Sequence, residues 1–98
     1  MSLTYTEHLK TRLRQRGLPL KLVKKVFDKN EESYFDNLRH HYIVVSSVLY
    51  KGRCRKVLAA YDKIGTDSIE VITIHPITDE QIKQGLNSGR WSYEKNKN

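Results

Sequence analysis

The chain has one cysteine, two prolines and no apolar run near the roughly 20 residues that cross a bilayer. A single thiol cannot close an internal disulfide, which suits a reducing compartment. The first residues also lack the short apolar core of a signal peptide, so a cytoplasmic location and no membrane partner are expected. Metal-ligand spacing is missing as well. His40 and His41 are adjacent, which in a strand points them to opposite faces, and His8 has no ligand four residues on. No glycine-rich phosphate loop precedes a helix, and nothing resembles a Ser-His-Asp arrangement. Neither a metal nor a cofactor is expected.

Acidic residues are scarce too. The 98 residues hold 18 lysines and arginines against 11 aspartates and glutamates, a formal charge of +7. The excess lies entirely in residues 1–56, which carry thirteen basic and five acidic side chains, whereas residues 57–98 carry five and six. This imbalance favours a polyanionic partner, and in a cytosol RNA, the ribosome or DNA is the usual one. At this length the chain is one domain with one modest core.

Thr4 and Glu7 have capping-box spacing, so a first helix is expected from Thr4 to Gly17, the left-handed terminating residue. Tyr5, Leu9 and Leu13 form its narrow apolar stripe, with Lys10, Arg12, Arg14 and Arg16 around it. Pro19 at the first helical position opens a second helix, in which Leu22, Val23, Val26 and Phe27 face inward and Lys21, Lys24 and Lys25 face water. The two helices should form an antiparallel pair. Ser33 to Asp36 is a short first strand, and residues 37–40 turn into the second.

The next two strands, His41 to Tyr50 and Arg53 to Tyr61, are joined by Lys51-Gly52 alone, a strong hairpin signal. Tyr50 then pairs with Arg53, Val48 with Arg55, Ser46 with Val57, Val44 with Ala59 and Tyr42 with Tyr61, all on one side of the sheet. The other side holds Ile43, Val45, Ser47 and Leu49 with Cys54, Lys56, Leu58 and Ala60. That second set is more apolar and reads as the core, with Cys54 a small buried side chain and Lys56 out of character. The first set reads as the open face. After a polar turn, Ile69 to His75 is a fourth strand stopped by Pro76, and a helix capped by Thr78 and Gln81 runs to about Asn87 to Gly89. Residues 92–98 read as a frayed tail.

The fold class is therefore α+β: two N-terminal helices packed on a three- to four-stranded antiparallel meander sheet, with a C-terminal helix. An uninterrupted even-sum register puts Ile72 and Ile74 on the core face, and Val71, Thr73 and His75 on the open face beside Arg53 and Arg55. A slip of one residue would reverse this.

Three segments carry a family resemblance: the Arg16-Gly17-Leu18-Pro19 turn leading to Val26-Phe27-Asp28, the stretch Val48 to Val57 around Lys51-Gly52-Arg53, and Val71 to Thr78. With the element order, residues 5–88 resemble the BrnT-like branch of the RelE/ParE superfamily of bacterial toxins. The resemblance implies a metal-independent endoribonuclease acting on mRNA, often at the ribosome, and neutralised by an acidic antitoxin protein. Such an enzyme uses the RNA's own 2′-hydroxyl as nucleophile and must supply a base, an acid and cations. Arg53 and Arg55 suit the phosphate, because a guanidinium stays charged and donates in a fork. His75 is the candidate proton carrier, since imidazoles exchange protons near neutral pH. Tyr61 and Tyr42 can stack on a base or donate a hydrogen bond. Where BrnT-like toxins end the last core strand with arginine and a small residue, this chain has His75-Pro76.

Two further readings use the same residues. A non-catalytic nucleic-acid-binding module would bind through Lys10, Arg12, Arg14, Lys21, Lys24, Lys25, Lys51 and Tyr42. A remnant of the fold would instead hold an antitoxin-like partner on its basic face. For Tyr42, Tyr50 and Tyr61 packing is the favoured reading, with the last helix covering them through Ile82 and Leu86 and Trp91 closing the layer.

Overall fold

A computed structural model describes residues 2–94. The order of elements is β1 (Ser2–Tyr5), α1 (Glu7–Arg16), α2 (Leu20–Lys29), β2 (Glu32–Asp36), β3 (His41–Tyr50), β4 (Arg53–Lys63), β5 (Ser68–Pro76), α3 (Asp79–Asn87) and β6 (Trp91–Tyr93). The α+β class stands. The strands form one sheet in the order β1-β5-β4-β3-β2-β6, antiparallel except where β1 runs parallel to β5.

The central meander follows its local signals. Lys51 and Gly52 both have positive φ, 49° and 82°, as the tight turn requires, and all five expected cross-strand pairs from Tyr50↔Arg53 to Tyr42↔Tyr61 are present. Gly17 ends α1 at φ 65°, its N–H donating to the carbonyls of Arg14 and Leu13. Thr78 and Gln81 form the capping box of α3.

Both ends of the sheet correct the expectation of three or four strands. Thr4 belongs to β1, where its hydroxyl donates to the Ile69 carbonyl at 3.1 Å. The cap of α1 is Thr6, whose hydroxyl accepts from the Leu9 amide at 3.1 Å. Threonines at both 4 and 6 can cap, and only the pairing of residues 2–5 with a strand more than sixty residues later decides between them. At the other edge, Trp91–Tyr93 pairs with β2, so the start of the expected tail is a strand. Glu94 follows it, its amide donating to the Ser33 carbonyl at 3.2 Å, and residues 95–98 of the expected tail lie outside the described residues. Pro19 caps α2 from an extended conformation, and the helix begins one residue later.

The two faces also exchange roles. Leu9 and Leu13 of α1, with Leu22, Val23 and Val26 of α2, bury Val44, Val48, Val57, Ala59, Val71 and Ile74. This is the larger core, on the face expected to be open, and it also takes in Tyr50 and part of Tyr61. Each fully buried aliphatic side chain there contributes about 1.5–3 kcal/mol. Ser46 is the polar residue buried within it. Its hydroxyl donates to the Val26 carbonyl at 2.8 Å and accepts from the Glu31 amide at 3.3 Å, which ties α2 to β3.

The opposite face has a smaller cluster of Tyr34, Ile43, Val45, Leu58, Ala60, Ile77 and Ile82, with Leu86 and Trp91 against it. Helix α3 covers this face rather than the tyrosines. Trp91 stacks on Tyr34 at 5.4 Å and leaves no room for a side chain on Gly85, where an added Cβ would lie 2.9 Å from the indole. Lys56 is bound here by Glu32 at 2.6 Å and Asp79 at 2.7 Å, joining β4, β2 and the first turn of α3. The hydrogen bonds its ammonium donates to these two carboxylates, Asp79 first, hold it above the usual lysine range. Leu49 and Cys54 lie beyond the helix at the hairpin tip and are exposed, not buried as expected.

Candidate functional site

A β-bulge decides where His75 goes. From Lys63↔Ile69 to Tyr61↔Val71 the ladder between β4 and β5 keeps the even-sum register. The register then shifts between Ala60 and Tyr61, and the next pairs are Ala60↔Thr73, Ala59↔Ile74 and Leu58↔His75. The extra residue is Ile72. Ile74 therefore joins Ala59 under α1 and α2, whereas Thr73 and His75 share the face of Ala60 and Leu58. Both assignments are the reverse of the uninterrupted register, because one inserted residue exchanges the two faces of everything after it.

The expected constellation is thus divided. Arg53 and Arg55 share the face of Tyr50 and Val48, and the Arg55 guanidinium lies 5.7 Å from the centroid of the Tyr50 ring. Both arginines are exposed, together with Lys51 at the turn. Tyr61 stands in an aromatic row, edge-on to Phe27 at 5.1 Å and stacked on Tyr42 at 5.6 Å, with the Lys63 ammonium 4.3 Å from the Tyr42 ring. Burial pushes the Tyr61 phenol up to about 12, with Glu94 adding to the effect, so near neutral pH it stays protonated. None of these groups shares a face with His75.

His75 instead lines a cleft of about 730 Å³ on the α3 side of the sheet. Ile43, Leu58, Ala60, Ile72 and Ile77 form its apolar floor, and Gln81, Gln84 and Ser88 present the polar side of α3 to it. On its β5 side are His75 and, from α1, His8 and Arg12. The Thr6 amide donates to the Val71 carbonyl at 3.2 Å, which starts α1 beside β5 where β1 stops. His8 and Arg12, four residues apart, then fall one above the other on a helix face. The His75 ring places Nδ1 2.9 Å from the Pro76 carbonyl. A carbonyl only accepts, so Nδ1 carries the proton and Nε2 is the nitrogen left for other chemistry.

On the β2–β3 side are Asp36, Arg39 and His41, with Arg90 bonded to Asp36. Asp36 accepts from the amides of Leu38 and Arg39 at 3.0 and 3.1 Å and from the Arg90 guanidinium at 3.3 Å. Burial raises this carboxyl, but the two amides and Arg90 outweigh it and hold the group below its usual range. The same bonds set the turn into β3, in which His40 has φ 61°. His41 Nδ1 lies 2.8 Å from Asp62 Oδ1, again leaving Nε2 outward.

The cleft thus holds three imidazoles and three guanidiniums against one lining carboxylate, which Arg90 and two amides already occupy. Among the described residues the Arg12 and Arg39 guanidiniums and the His8 ring have no hydrogen-bonded or ionic partner, and no three His, Cys, Asp or Glu side chains group as metal ligands. Of the basic residues singled out in the sequence, only Arg12 reaches the cleft. Lys10 pairs with Glu7 and Lys24 with Asp28 on exposed surfaces, and Arg14, Lys21 and Lys25 are exposed elsewhere on the helices. Arg39 and Arg90 are not among the sequence candidates, and His8 and His41 enter there only as histidines without metal-ligand spacing. The available signal was the spacing of His8 and Arg12 beside the Leu9–Leu13 stripe.

No protein-family model, curated protein or solved structure matches the chain.

Proposed function

We propose that the chain is a RelE/BrnT-like RNA-binding protein whose cleft cleaves RNA without a metal ion. The observation that carries this reading is that His75, His8 and Arg12 line one cationic, apolar-floored cleft. His75 Nε2 takes the proton of a ribose 2′-hydroxyl, and O2′ bonds to the adjacent phosphorus. The P–O5′ bond breaks as the His8 imidazolium gives its proton to O5′, leaving a 2′,3′-cyclic phosphate and a 5′-hydroxyl. Arg12 donates to the non-bridging oxygens, where negative charge builds in the transition state. An acidic antitoxin would oppose this reaction by covering the same cations.

The test is incubation of single-stranded RNA with the protein in excess EDTA, with mapping of the ends. Cleavage leaving cyclic phosphates is expected. His75→Ala and His8→Ala should each slow it by about 10²- to 10⁴-fold, and 2′-O-methyl RNA should stay intact. RNA that remains whole, or cleavage undiminished in the double variant, would remove the catalytic reading.

A further inference from the structure

The cleft has cationic groups on its β5 side and on its β2–β3 side, too far apart for one phosphate to bridge. His75 stands opposite Leu58 on one side of β4, and His41 is beside Asp62 on the other side. From Leu58 to Asp62 is about 13 Å along the strand, and from β5 to β3 about 10 Å across the sheet. The β2–β3 side is built for a fixed charge. Asp36 anchors the backbone of Leu38 and Arg39 and takes up Arg90, so the turn is held while the Arg39 side chain stays unpaired among the described residues. Resting on the RNA reading above, we propose that Arg39, with His41 beside it, forms a second phosphate subsite for a nucleotide flanking the scissile bond. The protein then prefers substrates long enough to span the cleft.

Ribonucleotides from two to six residues in length provide the test. In the wild-type protein kcat/KM should rise with length and level off once a phosphate reaches Arg39. Arg39→Ala should lose about tenfold in that gain, through KM rather than kcat, and lower the slope of log KM against log salt concentration by about 0.7, the value for one single-strand phosphate. Lys83→Ala on the outer side of α3 removes the same charge and should do neither. Equal losses on the dinucleotide and the hexanucleotide, or no loss on either, would overturn the subsite. Binding of a 2′-O-methyl hexanucleotide, followed by fluorescence anisotropy, separates the two proposals. Weakening by Arg39→Ala upholds the subsite even if no RNA is cleaved, and unchanged binding overturns it whatever the cleavage result.

Discussion

The two sides of this sheet are built from alternate residues of the same strands, yet they do different work. Beneath α1 and α2 nearly every inward side chain is aliphatic, and the buried hydroxyl of Ser46 has both its bonds made. Beneath α3 a smaller cluster is flanked by Lys56, Glu32 and Asp36 in ion pairs and by three histidines at the cleft. One helix covers only part of a six-stranded sheet. The uncovered part is where polar and charged groups can stand without unpaired burial.

Truncation should break the comparison most visibly. Leu9→Ala, at a residue 1% exposed in the larger core, should cost about 3 kcal/mol, and Ile82→Ala, 6% exposed in the smaller cluster, nearer 2 kcal/mol. Urea unfolding of both variants measures the difference, and equal costs would show that the two faces contribute alike. Gly85→Val should cost about 2 kcal/mol, because the indole of Trp91 occupies the space a Cβ needs. A shift in tryptophan emission would report displacement of Trp91, and an unchanged spectrum with unchanged stability would contradict the close approach.

The smallest expected effect is electrostatic. The Asp36 carboxyl titrates lower in the folded chain than in the unfolded one, so its stabilisation is present above the unfolded value of about 4 and is lost as pH falls through the folded value. Asp36→Asn should be less stable than the wild type at neutral pH, and the gap should narrow below about pH 4. A gap that stays constant through this range would deny the carboxylate its role in holding the turn.

Much of the fold was legible because its causes are local. The Lys51-Gly52 turn sets the β3–β4 register, Gly17 and the Thr78–Gln81 box set helix ends, and the period of Leu22, Val23 and Val26 sets the buried side of α2. The site was less legible. Its nearest clues, His8 and Arg12, have a spacing that also describes an ordinary wet helix face. Arg39 looks like a turn residue and His41 like the first residue of a strand until the fold brings them to the same cleft.

The sequence by itself determined the α+β class, the central meander and which residues alternate along each strand, since turns, caps and side-chain periodicity act within a few residues. Tertiary structure alone decided which alternating set became the main core, whether residues 2–5 and 91–93 joined the sheet, and which way His75 points. Those outcomes depend on pairings between distant segments and on one extra residue at Ile72. The more apolar face of the hairpin is not the larger core, because α1 and α2 bring their apolar stripes to the other one.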